Sequence, residues 1–325
     1  MMRKAIISPD SFKGTFTAAE VAAAIAAGVR EAGLAALELP VADGGEGTMD
    51  ALLAKGGDRR PARVSGPLGE AVEASYGLLP GADVAVVEMA QASGLVLVPA
   101  DARDPWRAST RGTGELIVAA AASGAERILV SVGGSATTDG GRGALEALAG
   151  AASLPPLTVL CDVETPWEDA ARVFAPQKGA DAEMVQRLSG RLEQMATELG
   201  RDPRGVPMTG CAGGLSGGLW AEHGAELVSG AQFVLDTLDF DQHLREAAFV
   251  VTGEGSLDSQ SFAGKVVSVV AERSSRAGVP CHAVVGRSAL DEAQQQRLGL
   301  AGVIEAPTAE AQRLAGRKLA AEALA

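Results

Sequence analysis

The sequence predicts an α/β protein whose main sheet is parallel and built from both ends of the chain, with a second domain inserted between them. Three observations lead there. Short apolar runs alternate with helical periodicity at both ends, and a hairpin-rich stretch separates the two. The 325 residues also exceed what one core holds, because single cores stop growing at roughly 250–300 residues. Only 3% of the residues are aromatic, and 41 are glycine. The core must therefore be built from Ala, Val, Leu and Ile beside tight turns, as in α/β proteins.

From Lys4 to Pro9 the chain is apolar and β-branched. Thr17 to Glu20 then supply a capping box ahead of Val21, Ile25 and Val29 at helical spacing, and Gly33 ends that helix. A second apolar run, Leu37 to Ala42, leads into a loop at 43–48 and a helix through Leu53. This β-loop-α-β-loop-α opening is how a parallel sheet begins. After Gly57, segments 61–79 and 82–90 alternate around turn signals and predict hairpins. Helix and strand resume with Gly114 to Ala122, the strand Arg127 to Val132, a glycine-rich loop, a helix from Gly143 to Leu148, and the strand Leu157 to Cys161. Residues 181–199 have helical periodicity, and the small residues of 210–219 suit close packing. Strands at Phe249 to Thr252, His282 to Val285 and Gly302 to Glu305, with a helix from Val266 to Arg276, restore the βα rhythm. The expected division is 1–63 with 232–325 as one domain and 64–231 as the insertion.

Composition excludes several functions. A net charge of −13 without a basic run argues against nucleic acid as a partner, since phosphate-backbone affinity needs clustered Lys and Arg. No apolar stretch reaches the roughly 20 residues that span a bilayer. The start of the chain reads as a first strand and not as a signal peptide. Cys161, Cys211 and Cys281 are isolated and read as reduced thiols, so the expected compartment is the cytoplasm. A small-molecule partner is expected, and the sequence leaves a homo-oligomer open. His223, His243 and His282 lack ligand spacing, which argues against a zinc site or a Ser-His-Asp triad. Neither GxxxxGK[ST] nor a GxGxxG after the first strand is present.

Chemistry is expected where strands end, because open α/β sheets bind ligands at the carboxyl ends of their strands. Four such loops share small residues, carboxylates and a hydroxyl or lysine: 10–14, 43–48, 133–141 and 253–258. Read singly, each is an ordinary turn in which Asp or Ser caps a helix. Together they supply what phosphoryl transfer needs: backbone N–H groups for phosphate oxygens, carboxylates for Mg²⁺, and a base. Lys178 and Arg111 stand beside glycines, and Lys13 lies in the loop after the first strand.

At these loops the sequence closely resembles the bacterial type I glycerate kinases. The matching segments are SPDSFKG at 8–14, PVADGGEGT at 40–48, VEMAQASGL at 87–95, STRGTGELI at 109–117, VGGSATTDGG at 132–141, CDV at 161–163, FAPQKGA at 174–180, GCAGGLSGG at 210–218 and TGEGSLDSQSFAGK at 252–265. They are spread over about four-fifths of the chain, in the family's order. Two departures stand out: Thr138 occupies a position where members usually carry Asn, and the chain is short between 150 and 157 and curtailed after Glu305.

The resemblance implies a Rossmann/flavodoxin-like parallel-sheet domain with a second α/β domain inserted, and an active site in the interdomain cleft. It implies ATP and Mg²⁺ with D-glycerate as acceptor, 2-phosphoglycerate being the favoured product. A kinase for another small hydroxy or sugar acid and a non-catalytic metabolite-binding protein are the alternatives. On this reading Asp10, Lys13, Asp43, Asp139 and Asp162 are the catalytic candidates, with Asp43 and Asp162 also as metal ligands. Ser11, Gly44, Gly45, Thr48, Arg111 and Lys178 are expected at the substrate. Gly133, Gly134, Ser135, Thr137, Gly253, Glu254, Gly255, Asp258 and Lys265 are expected at the nucleotide.

Overall fold

In the computed structural model, thirteen strands are formed among the described residues, 4–151, 153–262 and 264–325. In chain order they are β1 (Lys4–Ile7), β2 (Ala35–Glu38), β3 (Asp58–Ser65), β4 (Ala71–Leu78), β5 (Val84–Glu88), β6 (Arg127–Ser131), β7 (Leu157–Cys161), β8 (Glu226–Ser229), β9 (Ala247–Thr252), β10 (Ser256–Leu257), β11 (Cys281–Val285), β12 (Arg287–Ser288) and β13 (Gly302–Glu305). Met1 to Arg3, Ala152 and Ala263, the last within the quoted 252–265 segment, lie outside the described residues.

The strands β13-β11-β9-β1-β2 form one all-parallel sheet. The expectation that the first, second and Phe249 to Thr252 strands share a sheet is therefore met. Numbered along this sheet's own chain order the sequence is 2-1-3-4-5, the flavodoxin-like arrangement, which changes direction between β1 and β9. The second sheet runs β3-β4-β5-β6-β7-β8. Its first three strands are antiparallel, as the turn signals after Gly57 predict, and β5 to β8 are parallel.

The chain divides into two units, 1–43 with 231–325 and 44–230. The second break falls within a residue of the expected one, but the first lies after Asp43 and not after 63. The helix Thr48–Leu53 explains the difference. Its Met49 N–H donates to the Glu88 carboxylate at 2.8 Å. A Cβ at Gly77 would meet the Met49 and Leu53 side chains at 3.0–3.1 Å, so this helix lies against β4 and β5.

Local signals account for the first unit. Thr17 accepts from Glu20 N–H while the Glu20 carboxylate accepts from Thr17 N–H, the predicted capping box of the helix Ala18–Glu31. Val21, Ile25 and Val29 of that helix pack with Ala315, Leu319 and Ala320 of the helix Ala309–Leu324. The residues after Glu305 thus contribute to this core. Where the two helices cross, a Cβ at Gly28 would overlap the Arg313 carbonyl, and one at Gly316 the Ile25 carbonyl.

Gly→Ala inside a helix ordinarily gains up to about 1 kcal/mol. At this crossing overpacking, typically about 1–3 kcal/mol, should outweigh the gain. We expect Gly28→Ala and Gly316→Ala each to lower the thermal midpoint. A rise for both variants in a melting scan would show that the helices do not touch through their backbones.

Candidate functional site

The loops after β1, β9 and β11 meet at the carboxyl edge of the first sheet. Asp10 N–H donates to the Gly253 carbonyl at 2.8 Å, and Gly286 N–H to the Glu254 carbonyl at 3.1 Å. These contacts require bare backbone, since a Cβ at Gly253 would overlap the Val284 carbonyl. Phe12 is buried, its N–H donates to the Phe16 carbonyl, and the two rings meet edge to face. That closed turn leaves Lys13 exposed at its tip.

Around this edge lies a cavity of about 450 Å³. Of the expected residues, Asp10, Ser11, Lys13, Asp43, Glu254, Gly255, Asp258 and Lys265 line it together. Asp10 is only 7% exposed. Burial, then the neighbouring Asp43 and, more weakly, Glu254, hold its carboxyl well above the usual range, against the Ser11 N–H and Lys13. The Ser11 N–H bond is 2.6 Å. Glu254 is raised mainly by burial, opposed by its 2.5 Å bond from Ser261 Oγ and by Lys265. Asp43 does not cap the following helix, whose N-cap is Gly47 without a side-chain bond.

In the second unit the loops after β6 and β7 close around another group. Val132 and Gly133 N–H donate to the Gly44 carbonyl. A Cβ at Gly133 would lie 2.5 Å from Gly45 Cα and 3.4 Å from Asp162 Oδ2. Gly134 has φ +77°. Lys178, 2% exposed, donates to Ser135 Oγ at 2.7 Å and to the Thr137 carbonyl at 2.6 Å. Burial pulls its amine down to about 7, opposed by Asp139 and Asp162. Gly44, Gly45, Gly133, Gly134, Ser135, Thr137, Asp139, Asp162 and Lys178 are thus gathered into one layer of the second unit.

Other expected residues are committed to the scaffold. The Asp139 carboxylate accepts from Thr110 N–H (2.8 Å), Thr110 Oγ1 (2.9 Å), Gly141 N–H (3.1 Å) and Gly143 N–H (3.2 Å), so it anchors the start of the helix Arg142–Leu148. Thr48 is fully buried and its hydroxyl donates to the Gly45 carbonyl at 2.7 Å. Arg111 is exposed and pairs with Glu115 one turn along its helix, at 3.1 Å. Thr138 is buried with its hydroxyl unpartnered among the described residues.

Two arginines escaped the sequence reading. Arg191 donates to the carbonyls of Thr138, Trp106 and Pro105, and its guanidinium stacks on the Trp106 ring at 4.6 Å. As one basic residue on a helical face it gave no signal. Arg287 lines the cavity of the first unit beside Gly286. Its sequence signal is a glycine and a charge directly after a strand.

Among the described residues, no group of three His, Cys, Asp or Glu is arranged to hold a metal by itself. Mg²⁺ at nucleotides commonly takes one or two carboxylates, with phosphates and water as its other ligands. The neighbouring buried carboxylates Asp10 and Asp43 fit that donor set, because a cation would offset both the burial and the Asp43 charge that raise Asp10. No helix among the described residues is long and apolar enough to cross a membrane.

Comparison with known proteins bears on the whole chain. The sequence model of the Glycerate kinase family matches residues 5–154 and 151–323. Glycerate 2-kinase of Escherichia coli K12 is 41% identical, over 87% of this chain and 85% of its own. Glycerate kinase of Bacillus subtilis 168 is 40% identical, over 89% and 86%. A crystal structure from Salmonella typhimurium LT2, provisionally assigned as glycerate kinase 2, superposes with a TM-score of 0.83 at 36% identity, covering 99% of this chain and 98% of its own. With the family model spanning nearly all residues and relatives near 40% identity, this chain belongs to the glycerate kinase family.

Proposed function

We propose that the chain is an ATP-dependent glycerate kinase that moves the γ-phosphoryl group of ATP onto a hydroxyl of D-glycerate, giving 2-phosphoglycerate, in the cytoplasm. One observation carries the reading: Asp10, Asp43 and Glu254 share a cavity with Lys13 and Lys265 at the switch point of a parallel sheet. Such a place binds nucleotides in open α/β sheets, and this mixture of charges suits phosphoryl transfer. The 2-position is supported by the relative named glycerate 2-kinase. Three buried free thiols suit a reducing compartment.

The roles follow from surroundings. Asp10, held above the usual carboxylate range, is suited to accept the hydroxyl proton near neutral pH. Asp43 is the proposed Mg²⁺ ligand in the first unit, and Asp162, facing Gly133 and Lys178, is its counterpart candidate in the second. When bound, Mg²⁺ would neutralise phosphate charge. Lys13 and Lys265 would stabilise phosphoryl oxygens. Lys178 holds the 133–141 loop through Ser135 and Thr137 and offers its charge to an anionic ligand. Asp139, its oxygens engaged, holds the same loop.

The test is an assay of ADP release across small hydroxy and sugar acids. D-Glycerate should be the best acceptor, with a product identified as 2-phosphoglycerate by phosphorus NMR, and excess chelator should stop turnover. Faster release with another acid would move the substrate, and no release with any acid would leave a binding protein.

Within the cavity, Asp43→Asn and Lys13→Met should melt near the parent temperature. Each should lose on the order of a hundredfold in kcat/KM, about 2.7 kcal/mol of transition-state stabilisation. Parental turnover in both would move the chemistry elsewhere.

Lys178 also gives a stability prediction. Its folded value of about 7 lies below the ordinary 10.5, so between these values the unfolded chain binds more protons and stability rises with pH. The penalty of burying the amine is complete below about pH 7 and is relieved above it. Measured against Lys178→Met by denaturant unfolding, the parent should gain up to about 1.4 kcal/mol per pH unit from pH 7 to 9. An unchanged difference across that range would mean the amine stays charged when buried.

A further inference from the structure

The first-unit cavity contains a third cation, Arg287, besides Lys13 and Lys265. Arg287 is held at the carboxyl end of β11 by a series of backbone bonds. Gly286 N–H donates to the Glu254 carbonyl, Arg287 N–H to the Gly255 carbonyl at 3.2 Å, and Ala289 N–H to the Leu257 carbonyl at 2.9 Å. These bonds build the short parallel ladder of β10 and β12, with Ser256 opposite Arg287. The approach is so close that a Cβ at Gly286 would lie 2.5 Å from the Gly255 carbonyl oxygen. A backbone-bonded platform therefore carries an exposed cation.

What distinguishes that cation is its place beside several carboxylates without pairing to any of them. Arg59, Arg204, Arg273 and Arg313 are all paired with carboxylates. Arg287 makes no ion pair among the described residues, although Asp10, Asp43, Glu254 and Asp258 line the same cavity. Its one hydrogen bond runs from Nε to Ser256 Oγ at 3.2 Å, which fixes the plane of the guanidinium and leaves both Nη groups available as donors. A planar fork of this kind matches phosphate oxygens in a way an ammonium does not.

We propose that Arg287 binds the polyphosphate of the nucleotide, acting with Lys13 and Lys265 on the same cavity. The inference rests on the kinase reading and names the ligand group of that site. The nucleotide is favoured over the phosphate or carboxylate of the acceptor for two reasons. Three cations share the cavity, which suits a polyanion better than a single anionic group. The cavity also lies at the β1/β9 change of direction, where flavodoxin-like sheets hold a nucleotide phosphate.

The variants are Arg287→Gln and Arg287→Lys, at an exposed side chain, with melting scans to confirm folding. Losing charge-assisted hydrogen bonds to a phosphate should raise KM for ATP about tenfold or more in Arg287→Gln. KM for glycerate should stay within about twofold of the parent. Arg287→Lys should recover only part of the loss, since it keeps the charge without the fork. Independently of turnover, calorimetric titration with inorganic tripolyphosphate and Mg²⁺ should show binding to the parent and about tenfold weaker binding to Arg287→Gln. An unchanged KM for ATP, a change confined to KM for glycerate, or equal tripolyphosphate affinity would overturn the assignment. A parent that binds tripolyphosphate through Arg287 but releases no ADP with any acid would sink the kinase reading and leave this one standing.

Discussion

Asp10 is buried beside Asp43 and Glu254, and this concentration of like charge dominates the first unit. Carboxylates in such a position either keep a proton or find a cation, because burial makes an unpaired charge costly. The surroundings offer partial compensation from the Ser11 N–H and Lys13 on one side, and from Ser261 and Lys265 near Glu254 on the other. The loops are placed for this by backbone contacts between β1, β9 and β11 that side chains would prevent at Gly253 and Gly286. The parallel order with its change of direction between β1 and β9 brings these loops to one edge.

The second unit solves a different problem, that of holding a long glycine-rich loop still. The loop at 133–141 has little side-chain bulk with which to pack, so it is pinned by charged groups beneath it. Lys178 takes the Thr137 carbonyl and Ser135, Arg191 takes the Thr138 carbonyl, and Asp139 gathers four donors. The segment Ala212 to Gly214, all left-handed in φ, packs against the same loop, with Gly140 N–H donating to the Gly213 carbonyl. For non-glycine Ala212 that backbone is strained, which is consistent with a segment shaped by its contacts.

Much of the layout is legible in the sequence. The Thr17–Glu20 capping box, Gly and Asp turn signals, and the shift from helical to alternating periodicity after Gly57 are local effects, and the structure follows them. The first domain boundary was not legible, because the helix Thr48–Leu53 has the same local pattern whichever sheet it covers. Its commitment to β4 and β5 depends on Met49 and Leu53 finding the bare backbone of Gly77. The carboxylates looked alike for the same reason. Asp10 and Asp139 each follow a strand and precede glycines, yet one lines a cavity and the other is bonded on all sides.

The sequence by itself determined which loops end strands, which glycines and charges they carry, and that the main sheet draws on both termini, since these follow from period and turn chemistry within a few residues. Tertiary structure alone decided which of those charges share a space. That choice brings Asp10, Asp43, Glu254 and Arg287 to one cavity, turns Asp139 into an anchor, and buries Lys178 under its loop. The reason is physical: desolvation and charge repulsion depend on distances between residues far apart in the chain, and no local pattern encodes them.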